Sequence, residues 1–216
     1  MFKLIIFDLD GTLINSIEDL ADAVNYGLEK MGYKPHPLEK FYRFIGNGAL
    51  KLCQRALADY TDSEEAVNTL HEYFSVYYRA HSTDKTVTYD GIKELVNELR
   101  SKGLKLAVAS NKPDEFTKSI VTDIFGNDTF SVILGKRENC ATKPAPQIIY
   151  DIMNEAGVIF SDTILAGDSD VDILTARNAG IKSIGCTWGF RTKEELISTG
   201  ADYIADHASD ILGILF

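Results

Sequence analysis

Four short apolar runs, residues 4–7, 104–109, 163–166 and 182–186, lack the polar alternation of a strand with one wet face. A strand reads this way when both faces are covered, as in the parallel sheet of an α/β fold. Between the runs, residues 91–102, 113–124, 146–156 and 170–179 carry apolar side chains at helical spacing. Gly103, Gly126, Gly157 and Gly180 stand where helix stops belong. A β-α-β-α rhythm of this kind predicts an α/β, doubly wound parallel sheet.

Residues 15–80 break the rhythm. They hold only helical periodicity: Leu20, Val24, Leu28 and Met31, then residues 50–57, then 67–78. The expected organisation is therefore an α/β core of residues 1–14 and 81–216, with an all-helical domain inserted as residues 15–80. Its connectors, near Asn15 and at 81–88, would act as hinges over a site. Phe74, Tyr77 and Tyr78 read as the insert's core rather than as a stacking platform.

The chain has 216 residues, 45% of them apolar, enough to bury a sizeable core. Its 22 Lys and Arg against 32 Asp and Glu give a net charge of −10. That balance argues against broad nucleic-acid binding and attraction to anionic membranes. Cys53, Cys140 and Cys186 have no paired spacing, so neither a disulfide framework nor a zinc site is expected. The apolar run at residues 4–7 is too short for a signal peptide, and no run approaches membrane-spanning length. A soluble, cytoplasmic monomer or homodimer is expected. The four histidines share no motif and read as structural or surface groups.

The chemistry gathers where strands end. The first run is followed by Asp8-Leu9-Asp10-Gly11-Thr12, which puts two carboxylates at the carboxyl end of a buried strand, the ligand-binding edge of open α/β sheets. The pattern D-x-D-G-T arises by chance in only about 3 chains per 1,000 of this length, at roughly 6% usage per residue. The second run leads into Ser110-Asn111-Lys112. Later come Lys143-Pro144-Ala145-Pro146, and after the third run Gly167-Asp168-Ser169-Asp170-Val171-Asp172. An acidic pocket with one hydroxyl and one lysine suits Mg²⁺ and a phosphate, because hard oxygen ligands hold Mg²⁺. No G-x-G-x-x-G follows the first strand, which argues against a dinucleotide site.

Taken together these segments resemble the haloacid dehalogenase superfamily, and specifically its phosphatases with a small helical cap inserted after the first motif. Asn15-Ser16, Phe44-Ile45-Gly46-Asn47-Gly48-Ala49, Ser110-Asn111-Lys112, Lys143-Pro144-Ala145-Pro146 and Trp188-Gly189-Phe190 are most similar to the phosphoglycolate phosphatase group. The resemblance implies that Asp8 is the nucleophile and a Mg²⁺ ligand, forming an aspartyl phosphate. Asp10 would then be the general acid and base, binding the metal through its main-chain carbonyl. Asp168 would be the further acidic Mg²⁺ ligand, and Asp172 would support Lys143 or a metal-bound water. Ser110, Asn111 and Lys143 would hold the phosphoryl oxygens, with Thr12 near the same site or shaping the turn. Ser169 with Asp172 also reads as a capping box, and Asp170 as a helix-start acid.

The expected substrate is a small phosphorylated metabolite, with 2-phosphoglycolate first. Arg43 is placed to read its carboxylate through a guanidinium fork. Inorganic pyrophosphatase and β-phosphoglucomutase share the same core chemistry and remain open at this level. A non-enzymatic phospho-acceptor signalling domain fits less well, since it has no use for a second acid beside the acceptor or for a cap.

Overall fold

The structure, a computed structural model, describes residues 2–216. In chain order the elements are β1 (Leu4–Phe7), β2 (Ile14–Asn15), α1 (Ile17–Lys30), α2 (Leu38–Phe44), α3 (Ala49–Leu57) and α4 (Glu64–His81). There follow β3 (Val87–Thr88), α5 (Ile92–Ser101), β4 (Lys105–Pro113), α6 (Asp114–Phe125), β5 (Val132–Lys136) and α7 (Gln147–Ala156). The chain ends with β6 (Thr163–Gly167), α8 (Asp170–Ala179), β7 (Lys182–Cys186), α9 (Lys193–Thr199), β8 (Tyr203–Ala205) and α10 (Asp210–Leu215).

The chain divides into two compact units. One is residues 1–14 with 88–216, and the other is residues 15–87. In the first, six strands form a sheet of order β5-β4-β1-β6-β7-β8, parallel at every pairing. β1 is central, bonded to β4 on one side and β6 on the other. Its four side chains explain the missing polar alternation. Ile5 and Phe7 pack with α5, α6 and α10, whereas Leu4 and Ile6 pack on the opposite face with α7 and α8. All four are fully buried. Covering each residue's side chain this way is worth about 1.5–3 kcal/mol, which fixes the strand's register from both faces.

After β5 the chain crosses from the β4 side of β1 to the β6 side. That reversal puts the sheet's switch point at the carboxyl ends of β1, β4 and β6, where open α/β sheets form a ligand crevice. The helix stops hold as expected: Gly157 and Gly180 close α7 and α8 in the left-handed region, at φ 65° and 74°.

The second unit is helical apart from the ribbon residues at its ends. Phe74 and Tyr78 are buried in it, as expected of core. It runs seven residues beyond the expected boundary at residue 80, because α4 continues to His81 and the segment after it is tied back to α1. Buried Asp19 accepts from the main-chain N–H groups of Lys85 at 3.0 Å and Thr86 at 2.8 Å, and from the Thr86 hydroxyl at 2.7 Å. His36 is likewise structural: its Nε2 lies 2.7 Å from the Ala56 carbonyl oxygen. Cys53, Cys140 and Cys186 are free thiols. Among the described residues no helix is long and apolar enough to cross a membrane.

Candidate active site

Asp8 follows β1 directly, and its backbone continues the ladder by donating to the Ala166 carbonyl at 2.9 Å. Its side chain is thereby fixed beside the end of β6. The Lys143 ammonium lies 2.8 Å from Asp8 Oδ1 and 2.6 Å from Asp172 Oδ1, with the lysine side chain only 1% exposed. A lysine buried this deeply keeps its charge only if carboxylates face it. Burial opposes the Lys143 charge, and Asp172 with Asp8 outweighs it, holding the ammonium above its ordinary range.

Asn111 places that lysine. Its amide nitrogen donates to the Lys143 carbonyl at 3.1 Å and its oxygen accepts from the Lys143 N–H at 2.9 Å. The side chain expected to hold a phosphoryl oxygen thus grips the main chain of the loop that carries Lys143. Ser110 is buried, and its hydroxyl accepts from the Lys112 N–H at 3.2 Å. Residues 110–112 lie within β4 rather than after it. The β4–β5 register shifts between Ala109 and Pro113, an irregularity that turns side chains away from strict alternation at the sheet's rim.

Asp168 follows β6 directly and is enclosed on three sides. Thr12 Oγ1 donates to its Oδ1 at 3.3 Å, and the Phe190 N–H donates to its Oδ2 at 2.7 Å. Trp188 Nε1 donates to the Thr12 carbonyl at 3.0 Å. A Cβ on Gly189 would overlap Asp168 Cβ and the Gly11 carbonyl, and a Cβ on Gly11, at φ 91°, would overlap the Asp168 carboxylate. Thr12 therefore locates Asp168, and Trp188-Gly189-Phe190 forms the wall behind it. Gly189→Ala is expected to displace Asp168 and weaken divalent-cation binding at least tenfold by calorimetry, with the far-ultraviolet circular dichroism unchanged.

Asp172 is engaged at both oxygens: Oδ1 by Lys143, and Oδ2 by Ser169, whose N–H and hydroxyl lie at 3.2 and 2.6 Å. The capping box at the start of α8 is thus present, and it also aims Asp172 at Lys143. Asp170 points elsewhere, with Arg191 Nε at 3.8 Å. Asp10 does not join this cluster through its side chain. Its Oδ2 lies 3.0 Å from the Lys112 ammonium, a pairing that sequence reasoning missed because Lys112 reads there as the tail of a motif.

Asp8, Asp168 and Asp172 each offer an oxygen within 4.8 Å of the others. Three ionised carboxylates against one ammonium would leave two negative charges in excess, so ionising all three is opposed. Burial first, then the charge of Asp172, lifts Asp8 from its ordinary 3.8 to about 7, against the pull of Lys143. Burial, Asp172 and Asp8 likewise push Asp168 well above 3.8, opposed by the Phe190 N–H. Asp8 Oδ1 accepts from the Leu9 N–H at 2.7 Å as well as from Lys143, leaving Oδ2 without a hydrogen bond among the described residues. Hard oxygen donors, excess negative charge and an uncommitted carboxylate oxygen fit a divalent cation.

Arg43 is an exposed residue of α2, in the second unit; Arg55 of α3, in the same unit, is half-buried. Arg55 donates to the Phe44 carbonyl at 2.8 Å and to Asn47 Oδ1 at 2.6 Å. It thereby fixes the Phe44-Ile45-Gly46-Asn47 loop, another role the sequence did not disclose.

Known proteins share this fold and much of this sequence. Residues 5–186 match the family model of haloacid dehalogenase-like hydrolases. The chain is 35% identical to a phosphoglycolate phosphatase of Pasteurella multocida over 221 aligned positions, covering 99% of this chain and 98% of the relative. A phosphoglycolate phosphatase of Mannheimia succiniciproducens is 34% identical, with coverage of 99% and 98%. The crystal structure of a predicted phosphoglycolate phosphatase from Haemophilus somnus superimposes with a TM-score of 0.92 at 32% identity, covering 100% of this chain and 98% of the other.

Proposed function

The chain belongs to the haloacid dehalogenase-like hydrolase family and is a phosphatase of that family, and we propose that it hydrolyses 2-phosphoglycolate with Mg²⁺ through an aspartyl phosphate on Asp8. The observation that carries this reading is the Lys143 ammonium held between Asp8 and Asp172 beside Asp168. Asp8, Asp168 and the main-chain carbonyl of Asp10 would hold Mg²⁺, which when bound supplies the positive charge that lets an anionic nucleophile approach an anionic ester. At about 4 Å, two like charges otherwise repel by roughly 4 kcal/mol at an effective dielectric near 20.

Asp8 attacks phosphorus and the ester P–O bond breaks, while Asp10 gives its proton to the leaving oxygen. Lys143 stays beside Asp8, where negative charge accumulates on the phosphoryl oxygens. Ser110 holds one of those oxygens. Water then attacks the aspartyl phosphate, Asp10 takes its proton, and Asp8 is restored. Asp172 keeps the lysine in place throughout.

The core reads only a phosphoryl group, so choice among esters falls to the inserted helical unit, with Arg43 recognising the carboxylate of phosphoglycolate. The test is phosphate release from phosphoglycolate and from an uncharged aryl phosphate with Mg²⁺ present. Arg43→Ala is expected to raise KM for phosphoglycolate at least tenfold and to leave the aryl phosphate within about twofold. Equal effects on both would remove Arg43 from recognition. Phosphate release from pyrophosphate alone, or isomerisation of a sugar phosphate without release, would replace the substrate.

A further inference from the structure

One buried cation at the site has no part in the chemistry above. The Lys112 side chain is 4% exposed, and its ammonium sits 3.0 Å from Asp10 Oδ2 on a carboxylate that is itself 14% exposed. Lys143 already faces Asp8 and Asp172, so Lys112 is a second ammonium removed from water at one rim. Burying it is costly unless a carboxylate faces it, and Asp10 is the carboxylate at hydrogen-bond distance.

Its backbone is fixed from three directions. The Lys112 N–H donates to Ser110 Oγ at 3.2 Å, its carbonyl accepts from Thr117 Oγ1 at 3.1 Å, and a Cβ on Gly135 would overlap that same carbonyl. The irregular end of β4 thus holds Lys112 still. Asp10, by contrast, lies in the short loop after β1, next to Gly11 at φ 91°.

We propose that Lys112 is a positioning residue for Asp10, holding that carboxyl group where it gives its proton to the leaving oxygen and later takes one from water. The role rests on the phosphatase reading. The chemical step is unchanged: the Asp8 O–P bond forms as the ester P–O bond breaks, and the Asp10 proton passes to the departing oxygen. Lys112 exchanges no proton. It sets the distance and direction over which Asp10 works, and misplaced general acids lose much of their typical 10²–10⁴-fold contribution.

The test compares kcat/KM for phosphoglycolate, whose alkoxide leaves poorly, with that for 4-nitrophenyl phosphate, whose phenolate leaves without a proton. Lys112→Met is expected to lower the first about a hundredfold and the second less than tenfold, and Lys112→Arg to recover at least part of the first. In an Asp10→Asn background, Lys112→Met should cost less than threefold more, because the group it positions no longer transfers a proton. Equal losses on both esters, or full multiplication of the two substitutions, would overturn the proposal. If Lys112→Met fails to fold, the Arg variant decides alone: a loss confined to phosphoglycolate supports the role, and a loss shared by both esters rejects it. A wild type that hydrolyses neither ester overturns the phosphatase reading and this role with it, whereas an active wild type with equal losses in the variants rejects only the role of Lys112.

Discussion

Asp8→Asn is expected to abolish turnover and at the same time make the metal-free protein more stable at neutral pH. The activity loss follows from the chemistry, since a neutral amide is no nucleophile toward phosphorus. The stability gain follows from the charge balance of the pocket, where Asp8, Asp168 and Asp172 face a single Lys143 ammonium. The folded value for Asp8, about 7, lies above its ordinary 3.8, so the native state holds that proton more tightly than the unfolded chain. The stability so conferred is present in full below about pH 3.8 and is lost as pH rises through 7. About three pK units correspond to roughly 4 kcal/mol. Removing the charge should therefore leave the variant ahead of wild type by a margin that grows between about pH 4 and 7 and is flat above, read from denaturant midpoints at fixed pH. Mg²⁺ at about a hundred times its Kd returns roughly 2.7 kcal/mol to wild type and less to the variant, so the two curves converge when the cation is added.

Lys143→Met should act with the opposite sign on stability. It leaves three buried carboxylates facing one another with no cation, and breaking a buried pair from one side costs about 3–5 kcal/mol. The loss should be largest at alkaline pH and shrink as pH falls toward 7, because Asp8, at about 7 with Lys143 present and higher without it, takes up its proton there. Turnover should fall at least 10²- to 10³-fold, the usual consequence of removing a donor from developing phosphoryl charge. The pair of variants separates two accounts of one ion pair. An ordinary stabilising salt bridge predicts that both changes weaken the fold. A site strained toward binding a cation predicts a gain from the first and a loss from the second.

The strands that frame the site were legible because they are central. β1, the inner part of β4, β6 and β7 are covered on both faces, and their sequences are nearly unbroken apolar runs. The edge strands were not. β5 carries Gly135 and Lys136, and β8 has only three residues with Tyr203 exposed. Neither presents a run long enough to separate from loop. The short helices α2, α9 and α10 escaped for the same reason. Asp8 and Asp10 could be read because the motif is contiguous. The partners that set their chemistry could not, since Asn111 meets Lys143 across 32 residues, and Lys112 meets Asp10 only through the adjacency of β1 and β4. Trp188-Gly189-Phe190 carried resemblance alone in the sequence. Its physical reason, the enclosure of Asp168, needs two loops brought within van der Waals contact.

The chain's net charge of −10 gives no hint of a site for anionic esters. The pocket itself is acidic, so in the proposed mechanism its affinity for phosphate would rest on the Lys143 ammonium and on a divalent cation drawn in by the excess carboxylates. The central claim is that Asp8 carries the phosphoryl group during turnover. Acid quenching of the enzyme with phosphoglycolate and Mg²⁺, borohydride reduction and peptide mass spectrometry test it directly: an aspartyl phosphate is reduced to homoserine, and the account predicts homoserine at position 8 alone. Steady turnover of the same sample with position 8 unmodified, or with homoserine at another aspartate, would contradict it.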